Sequence, residues 1–124
     1  MDTVTWLERV RTAHEDLLHI RRPGFLVSKG ACEAAREPFD RSRKAIVSRV
    51  RKTLRDAHRV CYGPGPCIAD ALGPTHADVI WLRYARGMKW GSVAKRAYVS
   101  ERTAHRYEVQ AIDYLEARRA GNGS

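Results

Sequence analysis

Apolar residues in this chain recur at steps of three and four, and no stretch of useful length alternates at steps of two. A period near 3.6 packs as helices and a period of 2 as strands, so the expected fold is all-α. Trp6, Val10, Ala13, Leu17 and Ile20 form the first apolar seam, and Val47, Val50, Leu54, Ala57 and Cys61 the second. Thr5-Trp6-Leu7-Glu8 reads as a capping box opening the first helix, which ends before Pro23-Gly24. Residues 22–37 read as a loop or short irregular segment, because a residue before proline is biased away from helix and Glu37 precedes Pro38. The second helix then runs from about Phe39 to Cys61, and Gly63-Pro64-Gly65-Pro66 ends it at the best internal boundary. Together the two helices fit a hairpin. Their seams are thin, so docking onto the carboxy-terminal third or self-association as a homodimer would bury more.

The charge pattern narrows the partner. The 124 residues carry a formal charge of +9, with a pI of about 10.0, above the rough value of 9 that marks nucleic-acid-binding domains. Residues 22–62 hold +7 and residues 75–124 hold +4, while residues 1–21 and 63–74 are each at −1. Arg41, Arg43, Lys44, Arg49, Arg51, Lys52, Arg55 and Arg59 lie off the apolar seam of the second helix, where they suit an anionic backbone. No apolar run approaches the ~20 residues that span a bilayer. Asp2, Glu8 and Arg9 interrupt the amino-terminal stretch where a secretory signal would lie. The expectation is a soluble, basic, intracellular protein without a membrane partner. Its three cysteines, Cys32, Cys61 and Cys67, read as reduced thiols, with Cys61 and Cys67 close enough in sequence for an adventitious disulfide.

The carboxy-terminal third carries the functional signal. Thr75 reads as the cap of a helix over about His76 to Arg86, with Val79, Ile80, Leu82 and Tyr84 apolar and Gly87 ending it. A short helix follows over about Trp90 to Ala97, then a turn at Tyr98-Val99, then a long helix capped by Ser100 and starting at Glu101. Two helices joined by a tight turn, the second opened by a capping serine, form the helix-turn-helix pattern. Ala94 is small where the helices cross, and Val93, Val99, Ala104 and Tyr107 form the wedge between them. Arg102, Arg106, Gln110 and Asp113 recur at steps of four, four and three on one polar face, with Glu101 and His105 beside it. Arginines placed this way reach guanine edges or clamp phosphates.

Leu82-Arg83-Tyr84, Gly87, Trp90, Val93-Ala94, Ser100, Thr103, Arg106, Ala111 and Leu115 resemble region 4 of sigma-70-type factors in their spacing. Ser100-Glu101-Arg102-Thr103 with Arg106, and the Tyr84–Gly87–Trp90 spacing, look most like the phage late-gene regulators of the RinA or ArpU kind. The resemblance covers about residues 75–118. It implies a phage or prophage transcriptional regulator whose helix over about 101–118 enters the major groove of double-stranded DNA. Two positions depart from the pattern. Tyr98 stands where such turns favour glycine, and Ala104 where a larger aliphatic is usual, so Trp81 or the amino-terminal hairpin is a candidate to complete the wedge.

The expected architecture is therefore a helical hairpin over 1–62 and a Gly/Pro linker with a short helix over 63–74. A sigma-region-4-like helix-turn-helix domain over 75–120 and a disordered tail over 121–124 complete it. Glu101, Arg102, His105, Arg106 and Gln110 are the candidate base contacts, and Lys89, Lys95, Arg96, Ser100 and Thr103 the candidate phosphate contacts. The basic second helix adds an electrostatic grip or approaches bacterial RNA polymerase, and a homodimer spanning two half-sites is favoured. A packaging subunit of the small-terminase type and a sigma-like module docking on polymerase stand as alternatives.

Other readings are weaker. His14-Glu15-Asp16-Leu17-Leu18-His19 resembles a zincin motif lengthened by one residue, and histidines five apart point about 140° apart on a helix. His58, Cys61, Cys67 and Cys32 lack any C-x-x-C pair. No phosphate loop, nucleophile elbow or carboxylate pair is present, so neither enzyme activity nor a cofactor or metal is expected. Trp6, Trp81 and Trp90 fall on apolar stripes and read as core anchors. Val109, Ala111, Ile112, Tyr114 and Leu115 make the last helix apolar over much of its girth, which implies docking of the amino-terminal helices or a second subunit.

Overall fold

The computed structural model describes residues 2–21 and 33–122, and every regular element among them is helical. The predicted loop over 22–32, with Cys32, lies outside the described residues, as do the Ile20 side chain and residues 123–124. Six α-helices follow in order: α1 Thr3–Arg21, α2 Glu33–Tyr62, α3 Ile68–Ala71, α4 Pro74–Ile80, α5 Trp90–Ala97 and α6 Glu101–Asn122. A π-helical turn, Trp81–Ala85, continues α4.

Several boundaries differ from the sequence reading, each for a local reason. α1 is capped by Asp2 rather than Thr5: Asp2 Oδ1 accepts the Thr5 N–H at 2.7 Å, and that bond holds the Asp2 carboxyl below its usual range. α2 begins at Glu33, six residues before Phe39. Pro38 falls early in the helix, where its missing N–H removes a single backbone bond and the long ladder beyond it overrides the bias at Glu37. α4 opens on Pro74 behind Gly73, so Thr75 is inside the helix and not its cap. Proline suits that first position because the amide it lacks would be unpaired there anyway. At the other end, α6 continues through Gly121 to Asn122, into the segment expected as tail.

α4 is the axis of the molecule because its residues are shared between two cores. Ala77, Ile80, Tyr84 and Ala85 join Leu7 and Val10 of α1, Ala57 and Cys61 of α2, Ile68 of α3, and Ala111 and Leu115 of α6. Val79 turns the other way and joins Val93 and Ala94 of α5 and Ala104 of α6. The larger core thus draws on residues on both sides of Gly63–Pro66. Ile112 and Tyr114 pack against it, covering part of the apolar surface of α6 with the amino-terminal helices. The π turn lets one helix serve both cores: Arg86 N–H reaches Trp81 C=O at 3.0 Å and Met88 N–H reaches Leu82 C=O at 3.0 Å. The extra residue per turn swings Tyr84 and Ala85 onto the first core while Leu82 and Met88 pack on the second.

Gly87 closes this segment with φ +64, and His14 of α1 packs directly on it: a Cβ there would sit 2.7 Å from His14 Cδ2. Glycine meets both demands. A polar layer ties the other helices to α4. Tyr62 Oη donates to Asp78 (2.5 Å), Tyr84 Oη donates to Glu108 (2.7 Å), and His76 Nε2 pairs with Gln110 Oε1 (2.6 Å). Burial, with the adjacent carboxylate second, pushes both phenols well above their ordinary range, so they stay donors. Glu116 on α6 accepts the Thr3 N–H at 3.2 Å, fastening the start of α1 to the end of the chain.

Candidate functional site

The turn between α5 and α6 is built from backbone bonds. Val99 N–H reaches Ala94 C=O at 3.0 Å and Tyr98 N–H reaches Lys95 C=O at 3.3 Å, the paired bonds of a Schellman C-cap. Tyr98 adopts φ 59 and ψ 40, the left-handed region that usually calls for glycine. Its ring is 94% exposed, so no burial offsets the strain. Ser100 then opens α6, its Oγ accepting the Thr103 N–H at 3.1 Å while donating to Thr103 Oγ1 at 2.9 Å. Three residues thus end one helix and start the next, serving the Ala94 and Lys95 carbonyls and the Thr103 amide.

The expected wedge assembles. Val93 and Ala104 are fully buried, and Val99 and Tyr107 pack against them. Val79, Leu82 and Met88, from α4 and the segment after it, belong to the same cluster as the small Ala104. Trp81, a candidate for that place, lies instead in the other core with its ring edge-on to His58 and Tyr62 (centroids 5.4 and 6.2 Å). Trp6 is also partly buried against that core, and Trp90 against the smaller one.

Arg102 and Arg106 are exposed on α6. At about 100° per residue they share an arc of about 60° with Val109 and Asp113, roughly opposite Ala104, Ala111 and Leu115. Gln110 is not with them. Its amide is held by His76 of α4, whose ring stacks on Tyr107 with centroids 3.9 Å apart. Glu101 sits to the other side, where a Cβ on Gly91 would lie 3.7 Å from its Oε1. His105 lies against Trp90 with centroids 4.0 Å apart, and Arg83 is also 5.0 Å from that indole while donating to the Met88 carbonyl at 2.9 Å.

Lys89 occupies the N-cap position of α5, and Lys95 and Arg96 lie in its last turn, all three exposed. Among the described residues the only ion pair is Arg11–Glu15 at 3.7 Å on α1. Glu108 and Glu116 of α6 hydrogen-bond Tyr84 and the Thr3 amide, while Asp113 stays exposed on the outward arc about two turns beyond Arg106. Neither Arg102 nor Arg106 takes part in that ion pair.

A second cationic surface runs along α2. Lys44, Arg51, Lys52, Arg55 and Arg59 are all exposed, within an arc of about 100° and over ~22 Å of helix. Val50, Ala57 and Cys61 are buried on the far side. Cys61 and Cys67 are free and buried, and burial pushes the Cys61 thiol up to about 12, so it is inert. Among the described residues no group of His, Cys, Asp or Glu could hold a metal ion, and no helix is long and apolar enough to cross a membrane.

Val109, grouped by sequence with Ala111, Ile112, Tyr114 and Leu115 as apolar surface to be covered, instead stays 55% exposed beside the two arginines. Its helical phase was readable, but the capture of Gln110 by a residue 34 positions away was not. No protein-family model, curated protein or solved structure matches the chain.

Proposed function

We propose that this protein is a sequence-specific, double-stranded DNA-binding regulator of transcription, of phage or prophage origin, acting through a sigma-region-4-like helix-turn-helix. α5 crosses the phosphate backbone and the first turns of α6 enter the major groove. The observation that carries this reading is the pair Arg102 and Arg106, exposed on one outward arc of a helix fixed by a Schellman turn and a serine cap. Guanidinium groups so placed reach guanine O6 and N7. Glu101 and His105 border the same edge, and Lys89, Lys95 and Arg96 hold phosphates. Thr103 keeps its hydroxyl hydrogen for a phosphate oxygen after accepting from Ser100.

The α2 cations supply a sequence-independent grip through counterion release. A homodimer on two half-sites would double the contact, and bacterial RNA polymerase is the natural further partner of such a regulator.

Selection of bound duplexes from a random pool tests the reading. One motif should emerge, and Arg102→Ala/Arg106→Ala should lose about 2–6 kcal/mol on it but much less on random DNA. Equal binding of all duplexes by both proteins would reduce the surface to a backbone grip and reject sequence recognition.

A further inference from the structure

We infer that Val109 reads a thymine methyl group in the major groove, a specificity contact that rests on the DNA-binding reading above. Val109 is three residues beyond Arg106 and seven beyond Arg102, which puts it on their arc one to two turns further along α6, ~10 Å from Arg102. Its side chain is 55% exposed, although Ala111 and Leu115 on the same helix are buried. The polar residue next to it, Gln110, lies about 100° round the helix and pairs with His76 at 2.6 Å. The outward edge of α6 thus offers two arginines, then a branched aliphatic, then Asp113 one turn further on.

The two cations stand at the end of the arc where α6 begins, with Asp113 a turn beyond Val109 at the other end, so a polyanion would approach α6 from its amino-terminal turns. In the major groove the apolar feature that distinguishes one base pair from another is the thymine C5-methyl, and an aliphatic side chain meets it by burial alone. Val109 presents two methyl groups at that position and no hydrogen-bonding atom that would compete for a base edge.

The test uses the duplex selected by the wild-type protein, with each thymine replaced singly by uracil, which removes the methyl and leaves the pairing edge intact. At one position the replacement should weaken wild-type binding about fourfold, the worth of one buried methyl group at ~0.8 kcal/mol. Val109→Ala, which keeps an exposed helical site, should bind the thymine duplex about that much more weakly and be indifferent to uracil there.

Sedimentation velocity on wild type and Val109→Asp runs alongside. A selected motif without thymine, a uracil effect that persists in Val109→Ala, or a dimer that Val109→Asp alone converts to monomer would each overturn the inference. In each of those cases DNA binding by Arg102 and Arg106 could stand. Failure of the wild type to select any duplex would remove both readings.

Discussion

Tyr98→Gly should make this protein more stable, and the size of the effect follows from three features of one residue. Tyr98 holds φ 59 and ψ 40, which costs a residue with a Cβ ~1–2 kcal/mol relative to glycine. Glycine returns ~0.4–1 kcal/mol of that through the greater freedom of the unfolded chain. The ring is 94% exposed, so its removal forfeits almost no buried area. The net expectation is a gain of ~0.5–1 kcal/mol, or a rise of ~2–4 °C in Tm for a chain of this size. Tyr98→Ala keeps the strained Cβ and should stay near wild type, while Tyr98→Val adds β-branching and should fall below it. Urea unfolding followed by far-ultraviolet circular dichroism gives the order. If Tyr98→Gly is less stable than wild type, the ring packs somewhere or the turn is not left-handed, and the Schellman account of the α5–α6 junction fails.

Gly87→Ala should destabilise by ~2–3 kcal/mol, combining the positive φ with the 2.7 Å approach of His14. In the His14→Ala background only the backbone part, ~1–2 kcal/mol, should remain; equal costs in both backgrounds would remove His14 from the argument. Burial first, and Arg86 second, hold the His14 pKa below its ordinary 6.5 despite the Glu15 carboxylate and the backbone bond to Ala85. The unfolded chain therefore protonates first, so stability should be level above about pH 7 and fall as pH drops through 6.5 toward the folded value. His14→Gln should flatten that slope in urea titrations at pH 8 and 5.5, and parallel losses in both proteins would assign it elsewhere. Replacing Arg51, Lys52 and Arg55 with Gln should lower the slope of log affinity against log salt by about 2–3 and weaken all duplexes alike. An unchanged slope would separate α2 from DNA.

The junction that matters most was legible because its instructions are local. Ala94, Val99 and Ser100 belong to a turn whose bonds span a few residues, and the α5 and α6 starts fall where the spacing places them. The apolar seam of α2 was equally plain, since period alone selects Val50, Ala57 and Cys61 for burial. What escaped depends on distant partners. The π turn has no sequence marker. It falls where Tyr84 and Ala85 face one core while Leu82 and Met88 face the other. The Glu116–Thr3 bond joins residues 113 apart, and the His76–Gln110 pair removes from the polar face a residue that spacing had put there. Leu7, buried to 1%, was passed over as a seam residue in favour of the half-buried Trp6 beside it, because one step along a helix shifts the face by only about 100°.

The most direct measurement is nuclear magnetic resonance of the nitrogen-15-labelled protein titrated with the selected duplex, at a size of 14.1 kDa. Amide shifts should concentrate at Lys89, at Lys95–Tyr107 and at Val109, with the side-chain Nε–H signals of Arg102 and Arg106 moving furthest. The α2 amides should move less, and mainly at low salt. Shifts confined to α2, with Arg102 and Arg106 unmoved, would contradict the claim that α6 reads DNA.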